Sequence, residues 1–184
     1  MEKRKKIISV LSLEYAAKKF YICYQKKMNS VFNNSMSKMK IGIANDHAGF
    51  ALKHSIVEFL EKQGYEIQDF GTNSADPVDY PDYGHPLAEA VEKKKVDLGI
   101  AICGTGNGIN MVTNKHQGVR SAICWNRKIA VLVRQHNDAN ICALPGRFIS
   151  ERTAVSIVRA FLSTSFEGGR HVPRIAKIPV RKSK

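Results

Sequence analysis

The sequence predicts an α/β fold in three layers, with a doubly wound, parallel, five-stranded sheet of Rossmann-like type between helices, in a single domain. From residue 39 onward, short apolar runs alternate with longer segments whose apolar residues recur at helical spacing. Such alternation is typical of βαβ units, whose crossover helices cover both faces of a parallel sheet. Turn-forming residues separate these segments, and a length of 184 residues suits one domain with an additional segment.

The first half of the domain is predicted to contain two strands and two helices. The first strand is a short apolar run, and each helix places its apolar residues on one side. Gly64 favours a helix end. In order, the predicted elements are a strand over 40–44, a helix over 50–63, a strand over 65–70, a polar loop over 71–81 and a helix over 83–94.

The second half repeats the alternation and adds a glycine-rich loop after its first strand. Ser150 is the type of residue that caps a helix N-terminus, and a basic tail over 167–174 closes the pattern. The predicted elements are strands over 98–102, 120–124 and 140–144 and helices over 109–115, 127–136 and 151–163.

Basic residues are concentrated at the N-terminus. The net charge is +13, and residues 1–38 hold nine Lys/Arg against two Glu, so this fifth of the chain supplies +7. A basic, acid-poor leader is typical of an organelle transit peptide, although this one is rich in Lys rather than Arg. A true start at Met36 or Met39 is the alternative. We expect the domain over 39–184 to carry the chemistry in the cytoplasm, or in an organelle if residues 1–38 direct import.

The composition argues against several partners and sites. The domain lacks a dense basic stripe interleaved with aromatic residues, so no nucleic-acid partner is expected. No apolar run approaches the ~20 residues that a membrane span requires, so no membrane partner is expected. Of the four cysteines, no two form a CxxC pair, which argues against a zinc site and a disulfide framework. Cys124 and Cys142 are interpreted as small buried hydrophobic residues.

The central strand ends at Cys103, after which glycine recurs at positions 104, 106 and 108. In open α/β sheets, ligands bind beyond the carboxyl ends of the strands. The loop lacks the Gly-Lys-Ser/Thr of an ATP-binding loop, the GxGxxG spacing of a dinucleotide site and the arginine of a cysteine phosphatase. We interpret Cys103 as a base or nucleophile beside backbone N–H groups that suit an anion or oxyanion. A tight strand-to-helix turn is the alternative.

Two further loops hold side chains suited to the same site. Asp46 and His47 end the first strand, at the sheet edge where Cys103 is expected, although an Asx turn that caps the next helix is the alternative. His136 and Asn137 lie between a helix and a strand, where a helix C-cap is the alternative.

Three arginines follow the last predicted strand. Arg147 comes directly after Pro145-Gly146, whereas Arg170 and Arg174 are four residues apart and would share one face of a helix. Forked hydrogen bonds from two guanidinium groups would suit a phosphate. A solvated basic tail is the alternative for the last two.

Six short stretches, taken together, carry a family resemblance. They are residues 43–50 with Leu52-Lys53, 79–81, 102–109, 114–115, 134–140 and 168–171. In this order and spacing they resemble ribose-5-phosphate isomerase type B, whose family also holds the galactose-6-phosphate isomerase subunits. The resemblance covers residues 39–178.

The resemblance implies isomerisation of ribose 5-phosphate and ribulose 5-phosphate with neither a metal nor another cofactor. Cys103 would move a proton between C2 and C1 through a cis-enediolate, His136 would open the furanose ring, and the Thr105 hydroxyl would help to hold the enediolate oxygens. The implied substrate-binding residues are Asp46, His47, Gly104, Gly106, Asn107, Gly108, Asn137, Arg147, Arg170 and Arg174. Part of the family uses a glutamate base instead, but Ile109-Asn110 occupies that region here, which indicates the cysteine-type branch. The family generally forms homodimers whose sites are completed by both subunits.

Two other functions stay open on the sequence alone. One is isomerisation of a six-carbon sugar phosphate, such as allose 6-phosphate or galactose 6-phosphate. The presence of Cys103 and His136 in one chain favours ribose 5-phosphate, because the galactose 6-phosphate enzymes divide the work between two different subunits. The other is non-catalytic binding of a sugar phosphate, against which Cys103, Thr105 and His136 argue.

Overall fold

A computed structural model describes residues 39–180. At the centre of the fold lies a sheet of five parallel strands in the order β2-β1-β3-β5-β4. The predicted leader over 1–38 lies outside the described residues. The strands are β1 (Lys40–Asn45), β2 (Glu66–Asp69), β3 (Leu98–Cys103), β4 (Ser121–Ile123) and β5 (Ile141–Pro145).

Helices connect the strands and continue after the last one. They are α1 (Phe50–Lys62), α2 (Tyr80–Glu92), α3 (Asn107–Thr113), α4 (Arg127–Asn137), α5 (Glu151–Ser163) and α6 (Val172–Ile175). Single 3₁₀ turns over His47–Gly49 and Gly169–His171 precede α1 and α6. Within residues 39–180, none of the helices is long and apolar enough to cross a membrane.

Strands that are apolar on both faces indicate that helices cover both sides of the sheet. Strands β3 and β5 are buried along their whole length, as parallel strands covered on two sides must be. Helices α2 and α3 pack against each other, while α5 packs against both α1 and α4. The prediction of a doubly wound, three-layer fold is therefore confirmed, together with all five strands.

The direction of winding reverses between β1 and β3. The chain passes from β1 outward to β2 on one side, and on the other side it passes from β3 to the edge strand β4 and then returns to β5. At this switch point the carboxyl ends of the two central strands lie side by side, since Asn45 pairs with Ile102 and the Asp46 N–H donates to the Ile102 carbonyl at 3.2 Å. Such a reversal opens a crevice at the carboxyl edge of the sheet.

Most predicted elements differ from the structure by one to three residues at an end, and two helix starts are among these differences. Helix α2 begins at Tyr80 rather than at residue 83, because Asp79 is its N-cap and Pro81 is tolerated in the first turn, where its missing N–H costs no hydrogen bond. Helix α3 begins at Asn107 rather than at Ile109, so Gly108 is helical and not part of the loop. The predicted tail forms a 3₁₀ turn and α6.

Candidate active site

The predicted pair Asp46-His47 lies at the carboxyl end of β1. The Asp46 carboxylate is 5% exposed and accepts hydrogen bonds from the backbone N–H groups of Ala48 at 2.9 Å and Gly49 at 3.1 Å. One oxygen of this carboxylate, Oδ1, therefore caps the turn that follows β1, as the alternative interpretation of Asp46 predicts. The His47 Nδ1 lies 3.1 Å from the Val78 nitrogen and 3.2 Å from the Val78 carbonyl oxygen, so the Val78 backbone holds the His47 ring in place in either tautomer.

Cys103 ends β3 and is 4% exposed, packed in a buried cluster with Leu87 and Ile109. Two backbone bonds tie the residues after it to the end of β5. The Cys103 carbonyl accepts the Gly146 N–H at 2.8 Å, and the Gly104 carbonyl accepts the Arg147 N–H at 3.0 Å. These bonds bring the thiol, the start of the glycine loop and Arg147 together at one edge of the sheet.

The three glycines that follow Cys103 have different reasons for being glycine. Gly106 has φ of 75°, in the left-handed region that other residues rarely adopt, and it is the N-cap of α3. A Cβ on Gly108 would lie 2.6 Å from Cζ of Tyr80, so the Tyr80 ring rests directly on the backbone there. At Gly104 a Cβ would have only ordinary contacts, the nearest at 3.7 Å. Tight turning thus requires glycine at one of these positions and close packing requires it at another.

Thr105 is exposed at the tip of the loop, and its hydroxyl oxygen accepts the Asn107 N–H at 3.3 Å. This bond organises the turn into α3. Tyr80 is absent from the predicted site, and its presence in the 79–81 motif was the one sequence signal that pointed to it.

A second group of predicted residues lies at the end of α4. The helix closes at Asn137, after which Asp138 adopts φ of 44°, so the C-cap alternative is correct for the residues following His136. The Asp138 carboxylate accepts hydrogen bonds from Arg120 and from Arg134, each at 2.8 Å. This pair of arginines fixes the turn that presents His136.

The C-terminal tail folds back onto the same turn. The Glu167 N–H donates to the Gln135 carbonyl at 3.1 Å, and Gly168 and Gly169 follow with positive φ values of 68° and 54°. This path stacks the ring of His171 on that of His136, with centroids 4.5 Å apart and an interplanar angle of 11°.

The stacked rings share one carboxylate. Oε2 of Glu167 lies 3.9 Å from Nε2 of His136 and 3.9 Å from Nε2 of His171. Burial lowers the pKa of His171, and the positive charges of His136, Arg170 and Arg174 lower it further, while Glu167 opposes this shift. Glu167 is also absent from the predicted site, although an acidic residue just before the 168–171 motif was visible in the sequence.

The two groups of residues lie at opposite edges of the sheet. The Asn140 N–H donates to the Arg120 carbonyl at 3.0 Å, which places the end of α4 beside the amino ends of β4 and β5. Strand β5 then runs from Ile141 to Pro145, which pairs with Cys103. Four steps of ~3.3 Å give about 13 Å between the edges. Within one chain, the structure thus brings Cys103 together with Arg147 but not with His136.

The three predicted phosphate-binding arginines differ from the arginines that hold the fold. Arg120 and Arg134 form ion pairs with Asp138. Arg147, Arg170 and Arg174 form no ion pair with any residue of the described part of the chain. Their charges are therefore available to an anionic ligand.

Comparison with known proteins identifies the family of this chain. A family model described as Ribose/Galactose Isomerase matches residues 41–178. The chain belongs to the ribose/galactose isomerase family. This confirms the resemblance carried by the six motifs, over nearly the same residues. Ribose-5-phosphate isomerase B of Escherichia coli is 45% identical over 139 residues, which are 76% of this chain and 93% of that protein.

Solved structures of family members have the same fold. The ribose 5-phosphate isomerase of Thermotoga maritima matches with a TM-score of 0.75 and 46% identity, covering 77% of this chain and 97% of that chain. Ribose-5-phosphate isomerase B of Mycoplasma genitalium, solved with bound ribulose-5-phosphate, matches with a TM-score of 0.74 and 44% identity, covering 78% and 95%. The isomerase family is thus shown by sequence and by fold.

Proposed function

We propose that this protein is an isomerase that interconverts ribose 5-phosphate and ribulose 5-phosphate. The observation that carries the proposal is a cysteine at the switch point of the sheet, followed at once by a glycine loop and backed by Arg147. It gains weight from relatives in the same family that are named for this reaction, one of them holding ribulose-5-phosphate.

The chemistry requires a base and a set of hydrogen-bond donors. A hydrogen on a carbon next to a carbonyl is a very weak acid, so removing it depends on stabilising the negative charge that forms on oxygen. We assign the base to Cys103, which takes the proton from C2 of the aldose and returns it to C1. The second proton moves from O2 to O1. We assign the stabilisation of the enediolate to the Thr105 hydroxyl and to the backbone N–H groups of residues 104–108, except that of Asn107, which donates to Thr105; donors of this kind are worth about 2.7–4 kcal/mol each.

We assign substrate binding on the same edge to Asp46, His47 and Arg147. Arg147 lies against Gly104 and has no internal ion pair within the described residues. Its guanidinium group could therefore bind either the phosphate of the substrate or the negative charge that develops on the enediolate. Binding the remote phosphate fixes the reacting carbons relative to the thiol, which converts binding energy into alignment.

The remaining roles require a second copy of the chain. We infer a homodimer in which the partner supplies His136 for ring opening and Asn137, Arg170 and Arg174 for binding. The inference rests on the distance of about 13 Å between the two sheet edges. A twofold dimer would pair each carboxyl edge with the other chain's α4 end and form two equal sites.

Exposed apolar side chains at the carboxyl edge support this assembly. Trp125 lies two residues after the end of β4 and Phe148 directly follows Arg147, and they are 55% and 72% exposed in the single chain. Met111 on α3 is exposed as well. Large apolar side chains gathered near one edge are typical of an interface, and a second copy would cover them.

The test is an isomerase assay with ribose 5-phosphate, combined with the Cys103→Ala variant. We expect turnover by the unaltered protein and a loss of about 10²–10⁴-fold in kcat for the variant, the range for removal of a positioned acid or base. Cys124→Ala is the matched control, because Cys124 is buried outside the site and its loss leaves the base intact.

Solvent exchange separates catalysis from mere binding. In D₂O the unaltered protein should place deuterium on C1 of ribulose 5-phosphate, and the Cys103→Ala variant should not. Exchange that persists in the variant would contradict the assignment of the base. Turnover of six-carbon sugar phosphates alone would contradict the proposed substrate.

A further inference from the structure

The feature that the assigned roles leave unexplained is Glu167, whose carboxylate lies at equal distance from two stacked imidazoles. We propose that Glu167 is a positioning residue for ring opening: it keeps one proton on the stacked pair and leaves that proton on His136. The proposal rests on the proposed function for its role in the reaction, whereas the pairing itself is a property of this chain alone.

The geometry limits the stack to one proton. The rings are parallel with centroids 4.5 Å apart, so two imidazolium ions there would repel each other strongly. A single carboxylate oxygen 3.9 Å from both Nε2 atoms stabilises one positive charge on the pair. Glu167 is held in this place through its backbone bond to Gln135 in the last turn of α4.

The surroundings decide which ring carries the proton. The His171 side chain is 8% exposed, whereas that of His136 is 37% exposed and keeps more contact with water. Burial, Arg170 and Arg174 all disfavour the charged form of His171. At the end of α4, the Asp138 carboxylate pairs with both Arg120 and Arg134, so these three side chains together carry one positive charge. The difference in exposure and the charges that face His171 therefore favour His136 as the ring that carries the proton.

Ring opening requires one proton for O4, and a single proton on His136 supplies it. As the C1–O4 bond breaks, its electron pair goes to O4, which takes the proton from His136. The proton leaving O1–H then restores the charge on His136, while the C1 carbonyl forms. Glu167 touches no substrate atom in this step and acts only through the histidine.

The same three residues are also a conceivable metal site, since their ligand atoms lie within 4.8 Å of one another. Two observations favour the proton instead. The in-plane lone pairs of parallel stacked rings run side by side and do not converge on one ion. Two arginines, at 170 and 174, add positive charge that a cation would have to overcome.

The experiment compares Glu167→Gln with unaltered full-length protein in two assays. Conversion of ribose 5-phosphate, which exists mainly as a furanose, requires ring opening, whereas deuterium exchange at C1 of the open-chain ribulose 5-phosphate does not. We expect conversion to fall about 2–5-fold at neutral pH, with the histidine limb of the pH profile moved to lower pH and exchange unchanged. Glu167→Asp, which keeps the charge, should restore the profile.

Glu66→Gln is the matched control, because Glu66 is an exposed partner of Lys40 in an ion pair away from the stack, and the pH profile should stay in place. Equal losses of conversion and exchange in Glu167→Gln, or an unmoved pH profile, would overturn the positioning role.

A second measurement does not depend on activity. The ring signals of His171 followed by NMR should show its pKa falling further in Glu167→Gln, because the one group that raises that pKa has been removed. An unmoved His171 titration overturns the pairing even if the isomerase assay succeeds. A moved titration in a protein without isomerase activity would uphold the pairing and refute the proposed function.

Discussion

Two inactive variants should restore activity when they share a dimer. Cys103 and His136 lie at opposite edges of the sheet, about 13 Å apart along the strand direction, so the proposed site takes one of these residues from each chain. In the homodimers of Cys103→Ala or of His136→Ala, both sites are damaged. We expect each variant to lose about 10²–10⁴-fold in the conversion of ribose 5-phosphate.

The expected size of the recovery follows from counting sites. In a dimer that combines the two variants, one site contains both substitutions and stays inactive, whereas the other joins an intact cysteine to an intact histidine. Such a dimer should therefore turn over ribose 5-phosphate at about one half of the unaltered rate, since a twofold dimer has two equal sites.

The assay requires co-expression of the two variants with different affinity tags and purification through both. Dimers of the variant Cys103→Ala carrying both tags serve as the control for the tags themselves. If the mixed dimer is as inactive as either homodimer, each site is complete within one chain and the shared arrangement is wrong.

Three further predictions concern packing and protonation. Gly108→Ala should destabilise the protein by about 1–3 kcal/mol in urea unfolding, because its Cβ meets the Tyr80 ring, and Tyr80→Ala in the same chain should recover part of that loss. Lys53→Met should cost about 1–3 kcal/mol in the same measurement, since the buried ammonium group bonds to Asp69 at 2.8 Å and to two further acceptors; an unchanged unfolding midpoint would show that these bonds contribute nothing net. Because the pKa of His171 is lowered in the folded state, the unfolded chain binds a proton more readily than the folded chain does. The free energy of unfolding should therefore fall as the pH drops below about 6.5. His171→Phe, which cannot titrate, should lose less of that free energy between about pH 7.5 and 5.5.

The fold was predictable because burial on both faces leaves a strong mark on a strand. The runs at β1, β3 and β5 are apolar almost throughout, and the helices between them repeat their apolar residues at helical spacing. The first residue of a helix was harder to predict from the sequence. The residue at the N-cap position, such as Asp79, is of a type that is also common in loops.

The carboxyl-edge half of the site was predictable for a similar reason. In a parallel sheet, residues that follow neighbouring strands meet at one edge, so Asp46, Cys103 and Arg147 could be grouped from their order alone. The functional roles of these residues, and of the other predicted site residues, stay predictions.

Contacts between side chains of separate elements could not be predicted from the sequence. The Tyr80 ring on Gly108 and the His171 ring on His136 join residues about thirty positions apart, and neither pairing follows from local spacing. Glu167 was missed because a single acidic residue in a basic tail has no pattern of its own. Its significance arises only when two glycines with positive φ turn the chain back onto α4.

In the proposed dimer, the polarity of the sheet also sets a concentration threshold for activity. With half of the chemistry at each edge, an isolated chain would hold a thiol without its ring-opening partner. Specific activity should then decline as the protein is diluted past the dissociation constant of the pair, and the rate per chain should rise again on concentrating it.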